Sequence, residues 1–248
     1  MKHAAFLLLC LWAFACTAAA QTATNPPTLF RILYLDRPFT EEEDKAIEEG
    51  KMSRVVNLEY TSPVPGVPGK EEKTTVFITR NQVSPPQTYT GPGPIRLQHA
   101  APPNQTVATI PTPKNGGDLL VVLKPARTGD LANASAQIIG SGLKELPPGN
   151  ICMVNSTGLR IAFRANKTQA TINPDKQYVF SPERLRMNAV ALAVTADTKP
   201  VPRYIFEGAL RLGPEDRVMF IAYSPPGSPD VFKTDFFMLQ PSLSPTVP

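Results

Sequence analysis

Histidine and cysteine carry most nucleophilic and metal chemistry, and here they are scarce: two histidines and three cysteines in 248 residues. His3, Cys10 and Cys16 lie within the first twenty positions, in a stretch patterned like an export signal. Removal of that stretch leaves His99 and Cys152. A Ser-His-Asp or Cys-His system needs a histidine held beside its nucleophile. His99 precedes Ala100-Ala101-Pro102-Pro103 at the end of a short strand pattern, which reads as an edge residue. A zinc site needs three or four ligands, and a blue-copper site needs two histidines with a cysteine; the remaining pair supplies neither. Cys152 stands between Ile151 and Met153, the setting of a small core hydrophobe, not of a thiol activated by exposure and a basic neighbour. Neither a P-loop nor a dinucleotide-binding glycine fingerprint occurs. The expectation is no catalytic residue, no metal ligand set and no cofactor.

Carboxylates are the other reactive class. Glu41, Glu42, Glu43 and Asp44 are consecutive, but they lack the alternating spacing of a calcium loop. They fit the first turn of a helix near residues 40–50, with Thr40 as cap, Glu43 completing a capping box and Gly50 ending it. A glycosidase needs two convergent carboxylates, and no motif places such a pair. A pair assembled in space would make the chain a carboxylate-based hydrolase of a sugar or cell-envelope polymer, which is the alternative reading. Tyr89, in the proline- and glycine-rich segment at residues 84–94, is the best candidate for an exposed aromatic binding platform. Asn104, Asn133, Asn155 and Asn166 each open an Asn-x-Ser/Thr sequon. Several sit in turn clusters, where Asn is favoured for its own backbone bonding.

The elements that would position these residues are short and β-rich. Proline is heavily used, 28 residues, and falls between apolar runs, which suits many strands joined by stiff turns. Residues 29–35 (LFRILYL), 53–60, 73–80, 95–99, 105–110 and 134–140 read as strands. Residues 119–123 (LLVVL) and 218–223 (VMFIAY) are wholly apolar, as strands covered on both faces must be. Residues 146–180 alternate apolar runs with Asn- and Gly-containing turns and read as a β-meander. Residues 186–195 carry Val190, Leu192 and Val194 on one face and Ala189, Ala191 and Ala193 on the other, a face small enough for a closely packed neighbour. Residues 203–212 alternate with one solvated face, and residues 231–239 pair back to 218–223. Residues 118–130 and 216–230 share an order of Asp, apolar strand, proline, Gly turn and Asp, which suggests two related β-units, although any hairpin shows such a frame.

These patterns predict an all-β protein of antiparallel, immunoglobulin-like β-sandwiches with one short helix. The expected organisation is a signal peptide at 1–20, an N-terminal sandwich at 21–117, a C-terminal sandwich at 118–240 and a disordered tail at 241–248. Lys2 and His3, an apolar run at residues 4–15 and Ala18-Ala19-Ala20 predict cleavage between Ala20 and Gln21. The competing site is Cys16, since Ala13-Phe14-Ala15-Cys16 loosely resembles a lipobox; Phe14 fits poorly there. Charge is balanced, 25 Lys and Arg against 21 Asp and Glu, and spread along the chain, so nucleic acid is not an expected partner. After the signal no apolar segment reaches the roughly twenty residues of a membrane span.

The run LPPGNICMVNSTGLRIAF, with Pro148-Gly149, Asn155-Ser156, a strand at 159–163 and Asn173-Pro174, resembles uncharacterised exported bacterial proteins. The resemblance implies an immunoglobulin- or transthyretin-like sandwich and brings no catalytic or binding residues with it. Asp175 stands where such a turn would carry glycine. The functional expectation is an exported, non-enzymatic binding or structural module of the bacterial envelope or periplasm, whose partner is an envelope protein or polymer.

Overall fold

A strand that is apolar at every position needs cover on both faces. A computed structural model of the chain, describing residues 26–64, 66–101, 104–132 and 134–239, shows what supplies it. The protein is an all-β sandwich structure of four sheets, none closed into a barrel, with one short α-helix. The expected signal peptide, its cleavage site at Ala20 and Gln21, Cys16 and the tail at 241–248 lie outside the described residues.

The first eight strands form two sheets. One runs β4 (Gln87–Tyr89), β1 (Thr28–Tyr34), β7 (Gly117–Lys124), β8 (Ser135–Gly140). The other runs β3 (Glu71–Thr79), β2 (Val55–Pro63), β5 (Ile95–His99), β6 (Thr106–Ile110). Phe30, Ile32, Tyr34, Leu119, Val121 and Leu123 of the first sheet meet Leu58, Val76, Ile78, Ile95, Leu97 and Ile110 of the second in one core. The helix α1 (Glu41–Glu48) follows β1, with the Thr40–Glu43 capping box that the sequence predicts.

The second eight strands repeat the plan. One sheet runs β12 (Gln177–Phe180), β9 (Ile151–Ser156), β15 (Val218–Tyr223), β16 (Lys233–Met238). Its partner runs β11 (Thr168–Ile172), β10 (Ile161–Ala165), β13 (Ala189–Ala196), β14 (Arg203–Arg211). Counted from β9, these are again fourth-first-seventh-eighth and third-second-fifth-sixth, and in both units the first strand pairs parallel with the seventh. The shared frame at 118–130 and 216–230 therefore marks equivalent strands, β7 and β15, of a duplicated topology. Each unit is a two-layer β-sandwich with eight strands in its own order.

The units stack back to back. Leu120 and Val122 of β7, with Leu33, Leu35 and Ile139, pack against Cys152, Val154, Met219, Ile221 and Tyr223 of β9 and β15. The sheets carrying β1·β7 and β9·β15 are thus the two inner layers, which is why residues 119–123 and 218–223 lack a polar face. Polar ties flank this middle core: Ser156 Oγ donates to Gln137 Oε1 at 2.5 Å, Arg217 Nη1 to the Ser141 carbonyl at 2.9 Å, and Lys124 pairs with Asp175.

Three sequence expectations need correction. Residues 146–180 are not a meander: β9 pairs with β12 and β15, whereas β10 pairs with β11 and β13 in the other sheet. Only β10–β11 is a hairpin there, because a turn signal fixes a reversal but not which sheet the chain enters next. The break expected at 118 also moves. β7 begins at Gly117 and lies in register beside β1, and β8 joins it, so both belong to the first unit and the chain crosses over after Gly140. Parallel pairing of strands ninety residues apart leaves no local signal. Finally, the segment at 84–94 contains a short strand, β4.

Candidate interaction face

The residues singled out for chemistry do not converge. Tyr89 lies on β4, 7% exposed, with its ring 6.4 Å from Tyr60. It covers its own loop so closely that a Cβ on Gly91 would lie 2.2 Å from the Tyr89 hydroxyl. It is a core residue, not an exposed platform; its strand was hidden between prolines. His99 ends β5 opposite Leu58, and its amide donates to the Gln105 carbonyl. Cys152 is fully buried in the core between the units, and burial pushes its thiol up to about 12. Asn155 is also fully buried: its side-chain amide donates to the carbonyls of Leu159 and Ile172, and its Oδ1 accepts from the amide and hydroxyl of Thr157. That is the turn chemistry its sequence setting implies. Asn166 bonds the backbone of Glu183 and Ala191, Asn104 has φ +51°, and Asn133 lies outside the described residues. Asp175 takes φ +57°, the left-handed conformation for which glycine was expected.

One acid of α1, Glu43, joins a polar network that the sequence did not reveal. Asp36, fully buried just beyond β1, accepts from the Tyr34 hydroxyl at 2.7 Å and from the amides of Arg37 at 2.7 Å and Gly129 at 2.9 Å. Arg80 Nε lies 3.4 Å from the same carboxylate, and Arg80 also reaches Glu43 at 3.4 Å while stacking over Phe39. Burial alone would raise the Glu43 carboxyl, but the Thr40 amide with Arg37 and Arg80 hold it below its ordinary range. Burial, then the bond to Asp36, push the Tyr34 phenol upward. Asn81 Oδ1 accepts the Asp36 amide and lies 3.4 Å from the Tyr223 hydroxyl, which is itself 3.3 Å from Asp235. Each carboxylate here is already committed to internal donors. The cluster fastens α1 and the loop at Gly129 to the end of β1 and ties the first unit to β15 and β16. Among the described residues, no group of three or more His, Cys, Asp or Glu gathers as a metal could use, and no helix is long and apolar enough to cross a membrane.

The open surface of interest is the outward face of the sheet β11-β10-β13-β14. In a strand successive side chains alternate between faces, so Phe163, Leu192 and Val194 enter the core while Ala162, Arg164, Ala191, Ala193 and Thr195 face out. Register sets them in rows. One row is Gln169, Arg164, Ala193, Glu207; the next is Thr171, Ala162, Thr195, Tyr204. A bulge between Val194 and Thr195 re-aims β14 so that Tyr204 joins the outward row while Phe206 stays inward. Tyr204 is 68% exposed.

Small residues along β13 between larger flanks make this face hollow. One depression of about 530 Å³ lies between Arg164 and Glu207 over Ala191, Ala193 and Ala209. A second, about 510 Å³, lies beside Tyr204 over Ala162, Thr171 and Thr195. A third, about 370 Å³, continues to the Arg160–Asp197 ion pair and Pro202. Arg164 and Glu207 stand two strand spacings apart, roughly 10 Å, and neither makes an ion pair among the described residues. On the outer face of the first unit Glu59 and Lys73, on neighbouring strands, pair with each other, while Phe77, 60% exposed, and Arg96 point outward beside them. The alternation of Ala189, Ala191 and Ala193 was legible in the sequence. The rows that put Arg164 and Glu207 on either side of Ala193 needed the register.

No protein-family model matches the chain, and no curated protein matches it either.

Proposed function

We propose that the protein is an exported, non-enzymatic binding or structural module of the bacterial envelope or periplasm, and that it docks a macromolecular partner on the outer face of β11-β10-β13-β14. The observation that carries this reading is the face itself: three adjoining depressions floored by alanine and threonine, with Arg164 and Glu207 held apart and unneutralised. Charged side chains with no ion pair among the described residues, beside a hollow floor of small residues, are what a partner surface uses for position and register. Export is supported by the signal pattern ending at Ala20.

A photo-reactive residue at position 193 in the producing cell tests the docking part. Adducts are expected from Ala193 and not from Thr109 on the first unit's outer sheet, with the captured species named from its peptide masses. Adducts from Thr109 alone, or turnover of an envelope polymer by the pure protein, would overturn the reading. Amino-terminal sequencing of protein recovered outside the cytoplasm should begin at Gln21; an uncleaved, cytoplasmic chain would remove the export part.

A further inference from the structure

We infer that the partner of this face is a second copy of the chain, joined face to face about a twofold axis parallel to the strands and lying over Ala193; this rests on reading the face as a docking surface. Arg164 and Glu207 share a row and lie one strand to either side of β13. A twofold axis along β13 therefore carries Arg164 to the place opposite the partner's Glu207, and the partner's Arg164 opposite Glu207. Each cation that lacks an ion pair in one copy meets an anion in the other, and both contacts form at once, as an isologous interface demands.

Shape follows the same operation. In the next row Tyr204 on β14 and Ala162 on β10 lie one strand to either side of Thr195. The axis over β13 places each exposed tyrosine above the partner's Ala162, at the hollow bounded by Thr171 and Thr195. Ala191 and Ala193 meet their own equivalents along the axis, where only small side chains allow close approach. A twofold axis perpendicular to the strands through that row would set Arg164 against the partner's Arg164, so the Arg164–Glu207 pair favours the first orientation over the second, with Arg211, beside Ala189 two rows away, outside that pair. Four strands of five to nine residues give a footprint of roughly 500 Å² per copy, below the ~800 Å² of a standard interface. The dimer should be reversible and visible at high protein concentration.

Sedimentation velocity on the purified protein, from low micromolar to several hundred micromolar, tests this together with charge exchange. Wild type should shift from monomer to dimer as concentration rises. Arg164→Glu and Glu207→Arg should each weaken association by at least about tenfold, since each creates two like-charge contacts. An equimolar mixture of the two variants should associate as wild type does, because both cross-contacts are then opposite in sign, and the double variant R164E/E207R should recover homodimerisation. Both positions are exposed strand sites, and unchanged thermal melts would confirm that each variant is folded. Wild type that stays monomeric throughout overturns the inference, as does a dimer indifferent to every exchange. Adducts from position 193 to a different protein, with wild type monomeric, would sink self-association and leave the docking reading standing. Absence of adducts at 193 together with a monomer would remove both.

Discussion

Replacing Asp36 is the most demanding test of how this fold is held. The carboxylate is fully buried, and three donors converge on it at 2.7–2.9 Å: the Tyr34 hydroxyl and the amides of Arg37 and Gly129. Asp36→Ala leaves all three without their acceptor. It also leaves Arg80, whose side chain is 6% exposed, with Glu43 as its one counter-charge among the described residues. An orphaned buried donor costs about 1–3 kcal/mol, and removing one member of a buried ion pair costs about 3–5 kcal/mol. These terms overlap, because relaxation at one donor admits water to the others, so about 4 kcal/mol is the expected loss. That is a large share of the roughly 5–15 kcal/mol that holds an ordinary domain. Asp36→Asn keeps an acceptor oxygen but turns an amide group toward one of the donors, and should lose about half as much. Urea unfolding followed by circular dichroism measures both, provided the m-value is unchanged. A loss below about 1 kcal/mol for Asp36→Ala would refute the claim that this carboxylate organises the end of β1.

Three further outcomes follow from burial. Ile221→Ala, fully buried in the core between the units, should cost about 2–5 kcal/mol and lower a single melting transition; two separate transitions would mean that the units unfold independently. Cys152, fully buried with its thiol pushed up to about 12, should resist a thiol reagent at pH 8 in the folded protein and react fully in concentrated guanidinium; native labelling within minutes would contradict that placement. Tyr34 and Tyr223 both titrate above their ordinary 10.0 in the folded chain, chiefly through burial. The unfolded chain releases these protons first, so their contribution is complete below pH 10 and is lost as pH climbs past it, by up to about 1.4 kcal/mol per unit for each tyrosine. Tyr34→Phe should flatten that alkaline slope by one group, and an unchanged slope would exclude Tyr34 as its source.

The sequence was most informative where a property is local. Residues 95–99 and 218–223 appear as β5 and β15 at the expected bounds, and the Thr40–Glu43 capping box forms as its spacing implies. These features depend on neighbours within a few positions. What stayed hidden is pairing across distance. Ile151 to Val154 and Ile161 to Ala165 look alike as apolar strands, but β9 lies in an inner sheet and β10 in an outer one. Only the outward positions Ala162 and Arg164 betray the difference, and a two-residue alternation is easily read as a half-buried strand anywhere. Asp36 was illegible for the same reason: Arg80 and Gly129 reach it from loops 44 and 93 residues away. Tyr89 was misplaced because Pro85, Pro86, Gly91 and Pro92 mark a loop so strongly that three residues of β4 vanish among them.

Duplication sharpens the reading of the outer faces. Both units have the same strand order and the same parallel first-to-seventh pairing, and each gives up one sheet face to the middle core. Folding and stacking therefore ask the same things of the two halves and leave each with one free sheet face. If those free faces were merely solvated, similar chemistry would serve on both. Each face closes one pair, Glu59 with Lys73 on the first unit and Arg160 with Asp197 on the second, and each carries a cation outside any ion pair among the described residues, Arg96 on the first and Arg164 on the second; what the second face adds is Glu207 across Ala193 from Arg164 with a hollow between them. Opposite charges held apart at fixed spacing gain nothing for the isolated chain, since an exposed pair contributes little even when formed. They gain when a second surface brings matching charges at that spacing. The proposed docking on β11-β10-β13-β14 therefore rests on the spacing of Arg164 and Glu207 across the hollow and not on exposure alone, since the first unit's outer face also presents Phe77, 60% exposed, and Arg96.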